Sequence, residues 1–248
     1  MGRVKVTVGE RLSYEEERIC TLTASEGAKE VFDPLAVMVV ENEGAQPVVT
    51  TVHGWDDSLF LRGKAPMTKQ EVRALAISKL RPEADHIVYD IGAGTGSCSV
   101  ELAFQAPYGK VYGFEINEEA ALLAEANKER FNARNLEIIR GNALEKIVDM
   151  PCPDRVFIGG TKGNLKEILD ILYKKNAYCR IVITAITLET AGAVAAYYKE
   201  HTDYELETTQ LFASEGRRVG PYTLMEGHNP VYVMTAFRKE AEYEGKSK

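Results

Sequence analysis

The stretch Asp90-Ile91-Gly92-Ala93-Gly94-Thr95-Gly96 decides the fold of this chain. It follows an apolar run at 86–89 that is typical of a buried strand, and it precedes residues 97–104, which have helical spacing. Glycines in such a turn let a ligand lie against the backbone beside a helix N-terminus. The dinucleotide fingerprint would place its third glycine at position 97, which is serine here. The spacing therefore favours S-adenosylmethionine over NAD, with an ordinary tight turn as the alternative.

Working outward, strands and helices alternate after the glycine stretch. Strands are predicted at 110–114, 136–140, 155–158 and 180–184, and helices at 117–131, 165–175 and 188–201. Two further strands, 204–211 and 231–237, follow with no helix between them. This order predicts an α/β fold, the seven-stranded class I methyltransferase (Rossmann-like) sheet with an antiparallel terminal hairpin. Upstream, Thr68-Lys69-Gln70-Glu71 has the spacing of a capping box and predicts the start of a helix.

Composition excludes several classes of protein. The chain has 248 residues, 45% of them hydrophobic, which suits one large α/β domain plus a smaller segment. Its net charge of −7 argues against nucleic-acid and anionic-membrane partners. No apolar stretch approaches the ~18 residues of a membrane helix, and no signal pattern is present, so we expect a cytoplasmic protein. Four scattered cysteines without a C-x-x-C pair predict neither a disulfide framework nor a metal site.

The chain divides into four parts. Residues 1–48, with strand candidates at 4–8 and 35–40, form a small N-terminal segment, and residues 49–63 are interpreted as a linker. The main domain is expected over 64–238, and the charged residues 239–248 as a disordered tail.

Candidate cofactor residues follow from the rule that ligands bind beyond the carboxyl ends of parallel strands. Glu115 ends the second strand of the domain, where its carboxylate could accept the ribose hydroxyls of an adenosyl group. Asn142 and Ala143 end the third strand, where they could meet the adenine edge. Asp90 would orient the glycine loop itself. A polar turn and a packing role are the alternatives at these positions.

Two other stretches are candidates for binding a substrate carboxylate. The loop Gly159-Gly160-Thr161-Lys162-Gly163-Asn164 lacks the Asn/Asp-Pro-Pro-aromatic sequence of amine-methylating enzymes, but it offers backbone amides and a lysine. Arg217 and Arg218 lie on a glycine-bounded segment between the last two strands and suit bidentate binding. A flexible loop and a solvated pair are the alternatives. Asn229-Pro230 is interpreted as a turn that opens the last strand.

These residues carry a resemblance. The stretches Pro66-Met67-Thr68-Lys69, Asp90–Gly96, Glu115, 141–143, 158–169, 184–190 and Asn229-Pro230 resemble, in this order, the decarboxylating precorrin methyltransferases of cobalamin biosynthesis. Those enzymes methylate carbon 15 of precorrin-6B or its cobalt form and remove the carboxylate of the ring C acetate. The resemblance covers about residues 56–238.

The resemblance implies S-adenosylmethionine as cofactor, bound by Thr68, the glycine loop, Glu115 and Ala143, and it replaces the capping role of Thr68. It also implies a tetrapyrrole substrate. Our candidates for anchoring the substrate carboxylates are Lys69, Lys162, Arg217, Arg218 and the amides of Gly159 and Gly160. Family members are often tetramers, so a homo-oligomer is expected. Glu115 and Asn142 depart mildly from the family pattern, in which aspartate is common at both positions.

Residues 1–48 resemble something different, the C-terminal end of the partner enzyme that methylates carbon 5. Val8–Tyr14 and Phe32–Leu35 carry that likeness, and we expect this remnant to be inactive. Two rival functions stay open at this point. One is methylation of tRNA, protein or another small molecule, and the other is a non-catalytic cofactor-binding module. The residues do not settle whether the ring carries cobalt, or whether decarboxylation precedes methylation.

Overall fold

The computed structural model describes residues 4–41 and 52–239, and the chain divides into two compact units, 1–50 and 51–248. The predicted boundary at 48 and the start of the predicted linker at 49 lie outside the described residues, as does all of the predicted tail except Lys239. No helix among the described residues is long and apolar enough to cross a membrane.

The N-terminal unit is a three-stranded antiparallel sheet. Its elements are β1 (Lys5–Glu10), β2 (Arg18–Thr23), α1 (Ala24–Gly27) and β3 (Ala36–Glu41), and the strand order is β2-β1-β3. Val6 and Val8 on the central strand are buried. The sequence predicts β1 and β3 but not β2, because β2 follows a charged stretch and its residues do not alternate cleanly.

The second unit contains the predicted seven-stranded sheet, which confirms the fold class. Its helices are α2 (Gln70–Leu80), α3 (Ser97–Gln105), α4 (Glu118–Phe131), α5 (Ala143–Lys146), α6 (Leu165–Lys175) and α7 (Leu188–Glu200). Its sheet strands are β4 (Ile87–Ile91), β5 (Lys110–Glu115), β6 (Leu136–Arg140), β7 (Arg155–Ile158), β8 (Arg180–Ala185), β9 (Tyr204–Leu211) and β12 (Val231–Arg238). The order is β6-β5-β4-β7-β8-β12-β9, and β12 runs antiparallel to both of its neighbours.

Two local predictions need correction. The helix α2 begins one residue later than the capping box requires: its N-cap is Lys69, and no side chain caps it. The segment with Arg217 and Arg218, treated from sequence as a loop, is a separate two-stranded hairpin of β10 (Ser214–Val219) and β11 (Tyr222–Gly227). Every residue of these two strands is exposed, so no buried face marks them in the sequence.

Residues 52–63, which we call the strap, pack against the helices of the second unit rather than forming a free connection. Trp55 and Phe60 are buried, and the Trp55 ring lies 5.0 Å from that of Phe104 in α3 and 5.2 Å from that of Phe131 in α4. The backbone of Leu61 exchanges hydrogen bonds with the Asn127 side chain at 2.7 and 3.1 Å.

A buried ion pair holds the strap in place. Arg73 and Glu101 are both fully buried and lie 2.5 Å apart. The Arg73 guanidinium also donates to the carbonyl oxygens of Trp55 at 2.5 Å and Thr68 at 2.6 Å, while Glu101 accepts from the amides of Gly54 and Trp55. One ion pair therefore joins the strap, α2, α3 and the segment ahead of α2.

Replacing Arg73 with methionine should destabilise the protein strongly, because Glu101 would stay buried without its cation. We expect a loss of about 3–5 kcal/mol in the free energy of unfolding, measured with urea. The matched control is Glu137→Gln, which breaks an exposed pair with Lys110 at 3.3 Å and should cost less than about 1 kcal/mol. Equal losses in the two variants would contradict the role given to the buried pair.

Candidate functional site

A cavity of about 570 Å³ opens at the carboxyl edge of the seven-stranded sheet. The ends of β4, β5, β6, β7 and β8 line it, together with residues 64–69 ahead of α2 and, around the start of β12, His228, Asn229 and Val231. The sequence-based rule for open α/β sheets therefore gave the correct edge.

The glycine loop forms the floor of one half of the cavity. Gly92 and Gly94 have φ angles of +81° and +56°, which residues other than glycine rarely adopt. A Cβ on Gly94 would lie 2.6 Å from the carbonyl oxygen of Pro66, and one on Gly92 would lie 2.8 Å from the backbone nitrogen of Gly160. The absence of side chains at these two positions lets three chain segments meet closely, and the backbone of the loop lines the cavity beside them.

Glu115 fixes the glycine loop at the end of β5. One carboxylate oxygen accepts the Gly94 amide at 2.8 Å, and the other accepts the Asn117 amide at 2.8 Å. Each oxygen keeps a second acceptor position, because an ionised carboxylate offers about four in all. Glu115 lines the cavity, so its remaining lone pairs can accept ligand hydroxyls there.

Asp90 lies beneath the loop and does not line the cavity. It is fully buried, and Ser99 Oγ donates to its Oδ2, while Oδ1 makes no hydrogen bond within the described residues. Burial, with a contribution from the Glu115 charge, raises the pKa of Asp90 to about 7. The two carboxyl groups beside the loop therefore have different roles, since Glu115 is held by amides at the cavity and Asp90 supports the loop from below.

The other cofactor candidates divide between the cavity and the interior. Thr68, Ala93, Asn142 and Ala143 line the cavity, and the Asn142 side chain also caps α5 by accepting the Leu144 amide at 3.1 Å. Thr95 is buried and Gly96 is the N-cap of α3, and neither lines the cavity. Whether each residue binds a cofactor stays a prediction.

The substrate candidates are split in the same way. Lys69, Gly159, Gly160 and Lys162 line the cavity, and the space above Gly160 is open. Arg217 and Arg218 do not line it. They lie on the exposed hairpin, where Arg217 pairs with Glu226 at 3.0 Å.

Sequence reasoning missed several lining residues, above all His228 and Asn229. They lie at the cavity because β12 is antiparallel: Tyr232 pairs with Ala185, the last residue of β8, so the start of β12 meets the carboxyl edge. The predicted antiparallel pairing was the signal that could have found them. The turn interpretation of Asn229-Pro230 agrees with the start of β12 at Val231, but the turn also forms part of the cavity wall.

The mouth of the cavity is apolar and basic. Ile116 and Ile186 line it although they are half or more exposed. Phe212, between two lining residues, and Leu188, two residues after Ile186, are about 70% exposed. Lys64 joins Lys69 and Lys162 among the lining residues. The mouth can therefore contact a flat apolar body and its anionic substituents together. Within the described residues, no group of His, Cys, Asp and Glu could hold a metal ion.

Comparisons with known proteins agree with this geometry. Residues 59–238 match the family described as the precorrin methyltransferase domain. The probable cobalt-precorrin-6B C(15)-methyltransferase (decarboxylating) of Pyrobaculum calidifontis is 40% identical over 74% of this chain and 95% of its own length. The cobalt-precorrin-6B C(15)-methyltransferase (decarboxylating) of Salmonella typhimurium is 36% identical over 74% of this chain and 96% of its own. The crystal structure of a precorrin-6y C5,15-methyltransferase from Geobacter metallireducens superposes with a TM-score of 0.71 at 38% identity, covering 76% of this chain and 97% of that one.

Gly94→Ala should abolish or greatly weaken binding of S-adenosylmethionine, because a methyl group at φ +56° would press on the Pro66 carbonyl. Isothermal titration calorimetry measures the affinity. Gly192→Ala is the matched control, since Gly192 lies inside α7 with nothing within 4 Å of an added Cβ. The control should bind normally, and it should be about 0.5–1 kcal/mol more stable. Normal binding of S-adenosylmethionine by the Gly94 variant would contradict the role given to the glycine loop.

Asp90→Asn should change how stability depends on pH. The pKa of Asp90 is about 7 in the folded protein and about 4 when unfolded, so the stabilising contribution of its proton is full below about pH 4 and lost as the pH rises through about 7. Asparagine cannot ionise. Denaturant unfolding at several pH values should therefore show the variant gaining stability relative to the unmodified protein between about pH 4 and 7. Parallel stability curves would contradict the raised pKa.

Proposed function

This chain belongs to the precorrin methyltransferase family, and we propose that it methylates carbon 15 of precorrin-6B or cobalt-precorrin-6B with loss of the ring C acetate carboxylate. The observation that carries the proposal is one continuous cavity with two unlike halves. A bare glycine cradle with a carboxylate faces an open half with lysines, backbone amides and exposed apolar side chains.

The cradle half fits S-adenosylmethionine. The cavity beside the side-chain-free backbone of Gly92 and Gly94 can hold a flat nucleoside, and Glu115 keeps acceptor positions for ribose hydroxyls. Asn142 and Ala143 lie at the next strand end, where the adenine edge is expected. When bound, this cofactor supplies an electrophilic methyl group.

The open half fits a tetrapyrrole, which is a broad apolar ring with carboxylates at its edge. Ile116, Ile186, Leu188 and Phe212 can contact the ring, while Lys69 and Lys162 can pair with its carboxylates. The conjugated ring supplies the electrons for both bond changes, so the protein needs chiefly to align the reactants. In favourable cases, reactants held in the correct geometry react as if one were present at an effective concentration of ~10⁵ M or more.

We propose the two arginines of the hairpin as additional carboxylate anchors outside the cavity. Since Arg217 and Arg218 lie outside the cavity lining, they would contact a carboxylate that projects from the mouth. We also propose a homo-oligomer in the cytoplasm, as the family resemblance implies. We also propose that the N-terminal unit takes no part in catalysis, as its resemblance to the end of the carbon 5 enzyme implies.

The function is tested by incubating the full chain with labelled S-adenosylmethionine and precorrin-6B, with and without cobalt, followed by mass spectrometry of the pigment. We expect a gain of one methyl group with loss of one carbon dioxide, and the preferred substrate identifies the metal state. Cofactor binding with an unchanged pigment would reject the substrate and favour a methyltransferase acting on tRNA, protein or another small molecule.

Lys162→Ala should raise the KM for the tetrapyrrole by about tenfold, which corresponds to about 1.4 kcal/mol for one lost charge-assisted contact. The affinity for S-adenosylmethionine should not change, because Lys162 lies in the open half. Lys166→Ala is the matched control, since that lysine is exposed on α6 and outside the cavity lining. An equal effect of both substitutions, or none, would remove Lys162 from the anchor set.

A further inference from the structure

His228 is placed where it could act on a bound substrate. It is the one histidine among the described residues that line the cavity. Its backbone amide donates to the Ala213 carbonyl oxygen at 2.9 Å, which closes the base of the hairpin and fixes the residue at the start of β12. Its Nε2 atom is buried and makes no hydrogen bond within the described residues. A buried polar atom of this kind needs a partner, either a neighbouring charged group or a bound ligand.

Within the part of the chain that the structure describes, the charged group found beside the ring is Glu215, at the start of β10. Its Oε1 atom lies 3.2 Å from His228 Nε2, close enough to pair with a protonated ring but not aligned as a hydrogen bond. The remaining titratable lining residues suit proton transfer less well. Glu115 is held by two amides, Glu119 lies in the first turn of α4 on the cradle side, and the three lysines suit carboxylate binding. Imidazole both donates and accepts protons near neutral pH.

The proposed reaction requires one proton to leave and one to arrive. The methyl–sulfur bond breaks with its electron pair on sulfur, a carbon–carbon bond forms at carbon 15, and the hydrogen on carbon 15 leaves as a proton. The bond between the acetate methylene and its carboxylate then breaks, or has already broken. Carbon dioxide leaves, and the electron pair stays on the methylene carbon, which takes up one proton to become a methyl group. The two proton transfers balance without any oxidant or reductant.

We infer that His228 carries this proton, accepting it at carbon 15 and delivering it to the decarboxylated carbon, with Glu215 as the positioning residue that pairs with the charged ring. The inference rests on the proposed function. It assigns a catalytic role to the residue just ahead of the Asn229-Pro230 turn, which the sequence predicts only as the start of a strand.

The test compares His228→Gln with the unmodified protein at saturating S-adenosylmethionine and tetrapyrrole, measuring carbon dioxide release and cofactor affinity. We expect release to slow by about 10²-fold or more, with the cofactor Kd and tetrapyrrole KM within about threefold, and partial restoration by added imidazole. His86→Gln is the matched control, because His86 precedes β4 at the opposite edge of the sheet, where its Nδ1 accepts the Glu83 amide. It should stay within twofold.

The outcomes distinguish a failure of the proton-transfer role of His228 from a failure of the proposed function. Suppose that the unmodified protein converts the pigment and that His228→Gln either keeps its rate or only raises the KM for the tetrapyrrole. This result overturns the proton-transfer role and leaves the proposed function intact. An unmodified protein that leaves the pigment unchanged overturns both. If His228→Gln does not fold, Glu215→Gln decides, since that side chain is about half exposed. A fall in carbon dioxide release of about tenfold at unchanged KM supports the inference, and an unchanged rate overturns it.

Discussion

The buried pair of Arg73 and Glu101 is the constraint on which the rest of the second unit depends. It lies outside the cavity, yet Arg73 holds the carbonyl of Thr68 and so fixes the segment whose Pro66 carbonyl touches Gly94. Burying two ions away from water destabilises a protein unless their remaining donors and acceptors form hydrogen bonds. The strap supplies those partners through its backbone, because Glu101 accepts two of its amides and Arg73 donates to one of its carbonyls. The buried pair, which does not line the cavity, thus supports the glycine loop from outside, while Glu115 holds it from within.

Electrostatics also separates the two halves of the cavity. The cradle side has Glu115, held as an acceptor by two amides, above Asp90, whose pKa burial raises to about 7. The open side has Lys69 and Lys162 beside backbone amides. A nucleoside with hydroxyl donors and a ring with carboxylates would each meet the complementary group. The proposed order of the two ligands in the cavity therefore rests on charge as well as on shape, in a protein whose net charge is −7.

The sequence predicts most of the sheet because its signals are local. The bounds of β6, β7 and α6 are predicted to the residue, since each combines an apolar period with a clear end signal. The strap is not predicted, because its burial depends on Arg73 and Glu101, which are distant in sequence and carry no periodic pattern. The hairpin of β10 and β11 was missed for want of a buried face. Of the candidate site, the strand-end residues are placed at the cavity, but the part formed by β12 depends on strand direction and pairing register.

The reversed direction of β12 has a consequence for how such proteins diversify. In a wholly parallel sheet, each strand brings one loop to the ligand edge and one to the far edge. Here the connection between β9 and β12 returns to the ligand edge, because β12 starts where β8 ends. Insertions in that connection change what surrounds the mouth without moving the glycine loop or its supports. Substrate range and methyl donor can therefore evolve on separate parts of one chain, with the hairpin as the adjustable module.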